Sequence, residues 1–270
     1  MQNDVTNSSD QVAQYRRDGF IQLRDVFTSD ALQHLRDAVA GAVQLEQQHD
    51  WLGRRRTAAS EPKNAYEQIF IQKVNLWTRH ADVKSFVFSQ RLGHIAATLG
   101  GHPMRLWHDQ ALFKEPRTGT ATPWHQDAVY WPHRPRRDQL TIWIALRDAT
   151  IANGCMSFIP GSHALGPLPP INLAHPQDLF AHAPQMQPVE PVTFELKAGS
   201  VTVHNGLTFH CAGPNTADQM REALAIIYMP QDTSFDGGSH PVTDPLKSRG
   251  LKEGDPLNDG ELFPIVGTLS

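Results

Sequence analysis

The sequence predicts a mainly β core with flanking helices, and three observations point to it. Helical patterns of apolar residues occur only in the first hundred positions. From Met104 onward, short β-like runs follow one another, broken by Gly and Pro, with no helical stretch between them. His125 and Asp127 share the run Pro123-Trp124-His125-Gln126-Asp127, and a third residue of metal-ligating type, His210, comes 83 residues after Asp127. A sheet that closes on itself can bring such distant side chains to one inner face. The runs are therefore expected to form a double-stranded β-helix, the jelly-roll or cupin-like arrangement.

Each element follows from its local pattern. Residues 1 to about 10 are polar and read as a flexible tail, and Gly19-Phe-Ile-Gln-Leu23 reads as a strand. Thr28 or Ser29 caps a helix to about Gln47, with Leu32, Leu35, Val39 and Val43 as its apolar stripe. A second helix runs from about Val83 to Leu99, with Phe86, Leu92, Ile95, Ala96 and Leu99 inward and Gly100-Gly101 as its stop. Core packing accounts for both stripes. The β-like runs cover roughly 104–114, 140–148, 155–160, 192–196, 200–204, 207–211 and 222–229. Residues 162–191 are dense in proline and aperiodic; beside Pro160-Gly161-Ser162 and ahead of a strand pair, they read as a lid loop. The tail from Gln231, rich in Gly, Pro and Asp, is expected to wrap the surface. The whole chain, 1–270, reads as a single domain, a length at which β-rich folds commonly stand alone.

Composition narrows the function. With 40% hydrophobic and 19% charged residues the chain is an ordinary globular protein, and a net charge of −4 argues against nucleic-acid binding. Arg54-Arg55-Arg56 and Arg134, Arg136 and Arg137 are local basic clusters, read as solvated loops or as a grip on an anionic substrate. Two cysteines, Cys155 and Cys211, form no disulfide framework, which suits a reducing compartment. The polar start lacks the apolar stretch of a signal peptide, and no apolar run approaches the ~20 residues of a membrane span. A cytoplasmic protein with a small-molecule substrate is expected, its oligomeric state left open.

The chemistry rests on His125, Asp127 and His210. Two imidazoles and a carboxylate make a facial triad, three ligands on one side of an octahedral ion with the opposite side open. In a strand, residues i and i+2 face the same way, so His125 and Asp127 can share an ion. Fe(II), Zn(II) and Mn(II) all suit these ligands. The residues alone thus leave room for a cupin-like metal-dependent hydrolase or isomerase beside an oxygenase.

A second stretch, Asn205-Gly-Leu-Thr-Phe-His210-Cys-Ala-Gly-Pro-Asn215 with Arg221 beyond it, adds a resemblance. His-x-Asp, then His-x-x-Gly-x-Asn, then an Arg eleven residues after that His, resembles the phytanoyl-CoA dioxygenase family of Fe(II)/2-oxoglutarate oxygenases. The runs Leu140-Thr-Ile-Trp-Ile-Ala-Leu146 and Asn153-Gly-Cys-Met-Ser-Phe-Ile-Pro-Gly-Ser-His163 are similar too, so the likeness spans about Tyr15 to Met229. It implies Fe(II) held by His125, Asp127 and His210, with 2-oxoglutarate and O₂ taken in turn. Release of succinate and CO₂ would drive hydroxylation, or another oxidation, of a C–H bond. Arg221, whose planar guanidinium matches a carboxylate, would anchor the distal carboxylate of 2-oxoglutarate. Trp143 would wall that pocket, and Gln110 and Lys73 fall where the family has cosubstrate contacts. One departure stands out: the family often has Ser two residues after the distal His, and this chain has Ala212, for which Thr141 or Thr202 could substitute. Asp127 excludes the related halogenases, which have a small residue there. His108 shares strand parity with Gln110 and is expected to face the pocket. Tyr130, Trp131, the 54–72 loop and the lid are expected to meet the substrate. The remaining histidines, His204 among them, are read as packing or loop residues.

Overall fold

A computed structural model describes residues 8–48, 70–117, 121–173 and 178–268. In chain order the helices are α1 (Ser9–Asp18), α2 (Ser29–Gln48), α3 (Ala81–Val87), α4 (Gln90–Gly100) and α5 (Asp244–Lys247). The first strands are β1 (Phe20–Leu23), β2 (Ile71–Val74), β3 (Met104–Lys114), β4 (Thr122–His125), β5 (His133–Arg134) and β6 (Leu140–Ala145). Then come β7 (Met156–Phe158), β8 (Val192–Phe194), β9 (Val201–Asn205), β10 (His210–Ala212), β11 (Arg221–Pro230), β12 (Ser234–Phe235) and β13 (Ile265–Gly267).

The strands form a major antiparallel sheet, β1-β9-β6-β11-β3-β13 with β2 also on β3, and a minor sheet, β4-β10-β7-β8. This is the expected jelly roll. The period of two along each strand divides the major sheet into two faces. Leu224, Ile226 and Tyr228 of β11, Leu140, Ile142 and Ile144 of β6, and Val201 and Val203 of β9 face the helices. They meet Leu35, Val39 and Val43 of α2, Val83 and Val87 of α3, and Leu92, Ile95 and Leu99 of α4, so both predicted stripes are buried apart from the half-buried Leu32 and Phe86. The opposite parity, Ala223, Ala225 and Ile227 with Trp143 and Ala145, faces Met156, Phe158 and Ala212 of the minor sheet. The second core, and the cavity within it, lie between the sheets.

Several boundaries differ from those expected. Helix α1 begins at Ser9, inside the stretch expected to be tail, because Ser8 caps it in a reciprocal capping box with Gln11; residues 1–7 lie outside the described residues. The predicted helix over 83–99 is two helices, since the chain turns at Phe88 and Ser89 takes a non-helical N-cap conformation. Helix α4 ends at Gly101 in the left-handed conformation, as its glycine stop predicts. The C-terminal tail does more than wrap the surface: Phe235, Leu257 and Phe263 are buried in the inner core, and β13 extends the major sheet. There α4 crosses β13 so closely that a Cβ on Gly93 would lie 1.7 Å from the Val266 carbonyl oxygen.

The basic cluster at 134–137 is paired off, Arg136 with Asp236 at 2.6 Å and Arg134 with Glu253 at 3.2 Å. The cluster Arg54-Arg55-Arg56 and most of the 54–72 loop lie outside the described residues. Among the described residues no helix is long and apolar enough to cross a membrane, and both cysteines are free.

Asp109 ties β3 to the turn after β2. It faces the helix side and is fully buried, and its carboxylate accepts from the backbone N–H groups of Leu76 (3.2 Å) and Trp77 (3.1 Å). Burial outweighs these bonds and pushes its pKa up to about 7. A carboxyl raised in the folded state contributes stability that is complete below its unfolded pKa, near 3.9, and lost as pH rises through about 7. The full loss is on the order of 4 kcal/mol. Asp109→Asn should therefore be less stable than wild type near pH 4.5, for want of one acceptor, and close that gap or pass wild type by pH 8. Urea midpoints across this range test it; parallel stability curves would reject the assignment.

Candidate active site

Antiparallel pairing sets the site. His210 on β10 lies directly opposite His125 on β4, so one ladder position closes the long sequence gap between them. Their ring centroids are 4.1 Å apart. Asp127 joins them differently from the strand argument. Strand β4 ends at His125, and Asp127 adopts α-type angles (φ −74°, ψ −47°) at the head of a 3-10 turn over Ala128–Tyr130. The turn swings the carboxylate back, leaving Oδ1 3.5 Å from His125 Nε2 and 3.6 Å from His210 Nε2. The three ligand atoms lie within 4.8 Å of one another, the one such group among the described residues.

Hydrogen bonds orient both imidazoles. His125 Nδ1 lies 2.8 Å from the Pro123 carbonyl, and His210 Nδ1 lies 2.9 Å from that of Thr208. A carbonyl only accepts, so each Nδ1 carries the proton and each Nε2 presents a lone pair to the shared point. Burial and the neighbouring His125 hold His210 well below the usual histidine range, which keeps it neutral. Burial alone would raise the Asp127 carboxyl. Donation from His204 Nε2 to its Oδ2 opposes this, and the carboxyl is held well below the usual carboxylate range. Two neutral imidazoles and one carboxylate, pre-oriented by their own backbone, fit a divalent cation of the Fe(II) class.

These three side chains line a cavity between the sheets, together with Trp143, Gln110, Thr141, Ala212 and Arg221. Arg221 is the first residue of β11 and lies on the inner face, 3% exposed, its guanidinium 5.2 Å from the Trp143 ring centroid. No acidic side chain pairs with it among the described residues, and its Nε has no hydrogen-bond partner there. Burial lowers its pKa to about 10, so it remains a cation. Such a group favours an anionic ligand.

Other expected positions move. Lys73 does not face the cavity. It pairs with Ala111, on the parity that faces the helices, and its Nζ reaches the Glu46 carbonyl at 3.2 Å. Its neighbour Gln72 takes the inward place and donates to Gln110 Oε1 at 2.5 Å. Thr141 lines the cavity, but its hydroxyl is directed at Asp127 Oδ2, 3.3 Å away, rather than into the space beside Ala212. Thr202 is buried next to Trp143 and is absent from the cavity wall. His108 is on the inner face but lies outside the cavity, among Trp107, Trp131 and His240. Tyr130 donates to the Ile171 carbonyl at 2.7 Å, and Trp131 packs in the inner core, so neither lines the cavity wall.

Two residues escaped the sequence reading. His204 lines the cavity with its Nε2 3.4 Å from Asp127 Oδ2. Only its parity with Thr202 on a predicted strand could have suggested it. Gln126, between the two ligands, points the opposite way and is buried. Its amide nitrogen donates to the carbonyls of Gly166 (2.9 Å) and Leu207 (2.8 Å), and its oxygen accepts from Leu168 N (2.8 Å). It thereby joins the ligand turn, the β9–β10 connection and the start of the 162–191 segment. That segment is not featureless: 3-10 turns at Ser162–Leu165, Leu179–His182 and Pro184–Met186 pack Ile171, Leu179 and Ala183 onto Ile159 and Phe209. Residues 174–177 lie outside the described residues.

Comparison with known proteins decides the family. The family model of phytanoyl-CoA dioxygenase matches residues 15–223. The chain belongs to the phytanoyl-CoA dioxygenase family. It is 23% identical over 271 residues to the phytanoyl-CoA dioxygenase domain-containing protein 1 homolog of Caenorhabditis briggsae, covering 82% of this chain and 90% of that one. Among solved structures it is similar to the non-heme α-ketoglutarate-dependent carbocyclase SnoK from nogalamycin biosynthesis, with TM-score 0.81, 28% identity and 95% of each chain covered. The epimerase SnoN, in complex with Fe³⁺, α-ketoglutarate and nogalamycin RO, matches at TM-score 0.73 and 26% identity, over 94% of this chain and 96% of that one. This member of the family is an Fe(II)- and 2-oxoglutarate-dependent dioxygenase, and the reading as a metal-dependent hydrolase or isomerase that does not use 2-oxoglutarate falls away.

Replacing His125, Asp127 or His210 by Ala should reduce Fe(II) content in anaerobic titrations by at least tenfold while leaving the far-ultraviolet circular dichroism spectrum unchanged. Full metal content in any one variant would remove that residue from the ligand set.

Proposed function

We propose that this dioxygenase oxidises a C–H bond of a small, uncharged and partly apolar organic molecule, with His125, Asp127 and His210 holding Fe(II) and Arg221 seating 2-oxoglutarate. The observation that carries this reading is a buried guanidinium without a paired acid among the described residues, lining the same cavity as the His125, Asp127 and His210 trio. The bound metal, 2-oxoglutarate and O₂ supply the oxidising power, with succinate and CO₂ as co-products. The residues do the rest. Arg221 offers two parallel N–H donors to the distal carboxylate, and Trp143 holds its plane. Ala212 adds no hydroxyl, so the guanidinium carries this contact. Phe70, Leu112, Met156 and Leu173 give the remaining wall an apolar surface, with the Gln72–Gln110 amide pair as its polar feature. A substrate with a neutral hydrogen-bonding group beside a hydrocarbon portion fits that wall. The solved relatives act as a carbocyclase and an epimerase, so the outcome in this chain extends from hydroxylation to other oxidations. The chain works as one oxygenase domain in the reducing cytoplasm, with 162–191 as its lid.

Arg221 sets the affinity for 2-oxoglutarate in this reading. Removing one partner of a buried, hydrogen-bonded charge pair costs on the order of 2–5 kcal/mol. Arg221→Ala should therefore weaken 2-oxoglutarate binding by roughly 30-fold or more, with little change in Fe(II) affinity. Arg221→Lys should recover part of the loss, since an ammonium keeps the charge and loses the fork. The metal-to-keto-acid absorption band, followed under nitrogen, reports this binding without turnover. Equal affinity in wild type and Arg221→Ala would reassign the anchor.

For the lid, hydrogen exchange of residues 165–173 and 178–188 should slow when 2-oxoglutarate and substrate bind, as for loops that close over a site. Strong and equal protection in free and bound protein would make the segment a fixed wall.

A further inference from the structure

The two oxygens of Asp127 have different surroundings. Oδ1 faces His125 Nε2 and His210 Nε2 at 3.5 and 3.6 Å and is the oxygen positioned to share an ion with them. Oδ2 faces away from that point, 3.3 Å from Thr141 Oγ1 and 3.4 Å from His204 Nε2. Thr141 on β6 and His204 on β9 are ladder partners on the inner face of the major sheet, so two adjacent strands converge on one carboxylate oxygen. Because a carboxylate accepts, the His204 tautomer has its proton on Nε2. The ring is 1% exposed and packs against the neighbouring rings of His210 and Phe158 on the facing minor sheet, with centroid distances of 4.6 and 5.4 Å. Burial against these rings restricts the donor to this direction.

We propose that His204, assisted by Thr141, is a positioning residue that keeps Asp127 a one-oxygen ligand. The inference rests on the metal-site reading above and goes beyond the identity of the three ligands. A carboxylate can bind a cation through one oxygen or through both. A second oxygen would take one of the open positions that a facial triad leaves for its cosubstrate. Two hydrogen bonds to a buried Oδ2 oppose that rotation, since turning it to the metal would leave an imidazole N–H and a hydroxyl without acceptors. His204 thus protects vacant coordination positions more than metal affinity. Its effect should appear in cosubstrate binding to the metal-loaded protein.

Anaerobic titration with Co(II) alone, followed by 2-oxoglutarate titration of the Co(II) protein, separates these effects. Wild type, His204→Gln, His204→Phe, Thr141→Ser and Thr141→Val are compared, each checked by circular dichroism. His204→Phe and Thr141→Val should lose roughly 10–100-fold in 2-oxoglutarate affinity, the scale typical of partners behind metal ligands. Co(II) affinity should change less in both. Gln and Ser keep a donor at the same place, so His204→Gln and Thr141→Ser should recover most of the loss and the wild-type Co(II) absorption spectrum. Near-isosteric Thr141→Val keeps the test decisive if His204→Phe does not fold. Unchanged 2-oxoglutarate affinity in the folded donor-less variants would overturn the proposal and make His204 a packing residue. Loss of Co(II) in His204→Gln as complete as in His210→Ala would also overturn it, by making His204 a fourth ligand. Failure of wild type to bind Co(II) would instead strike the metal-site reading, and this inference with it.

Discussion

Alternation of side chains along the major sheet is the constraint on which the rest of the protein depends. Strands β3, β6, β9 and β11 each carry two sets of residues, and the parity of a position decides which compartment it serves. One set meets α2, α3 and α4 in an apolar layer, and the other faces the minor sheet and lines the cavity. Arg221, Trp143, Thr141 and His204 are on the site side because of their register, and Asp109 and Lys73 are on the helix side for the same reason. A one-residue slip would send the Arg221 guanidinium into the helix layer. The helix layer therefore protects function as well as stability, since its apolar burial is what makes such a slip costly.

Much of the site was legible because its signals are local or keep a fixed spacing. His210 lies in a predicted strand and Arg221 just ahead of another, His-x-Asp stands out by its spacing, and the stripes of α2 and α4 are strongly periodic. What was lost depended on register or on turns. Lys73 was one place off because β2 follows a stretch with no clear pattern, where counting inward from outward positions has no starting point. His204 looked like any of the other histidines until β9 was laid beside β6. The sharing of an ion by His125 and Asp127 was anticipated for the wrong geometric reason, as the strand stops at His125 and a 3-10 turn completes the approach. The C-terminal tail hid its contribution because single residues, Phe235, Leu257 and Phe263, enter the core from irregular backbone.

The cavity divides its work between charge and shape. One part of its lining is a guanidinium without a paired acid among the described residues, set against an indole face; the rest includes apolar side chains and two amides. An anionic ligand and an apolar one would therefore meet different side chains. That suits an enzyme that takes 2-oxoglutarate together with a second molecule.

Gln126 ties the 162–191 segment to the candidate metal centre. Its one amide holds Gly166 and Leu168 of that segment and Leu207 of the β9–β10 connection, while its two sequence neighbours belong to the His/Asp group that could hold a metal ion. Local unfolding of 166–168 would break two of those three bonds and release the turn that aims Asp127. Opening of this stretch and loosening of the turn at Asp127 then belong to one cooperative unit, and whatever holds that turn in place adds to the cost of opening the segment.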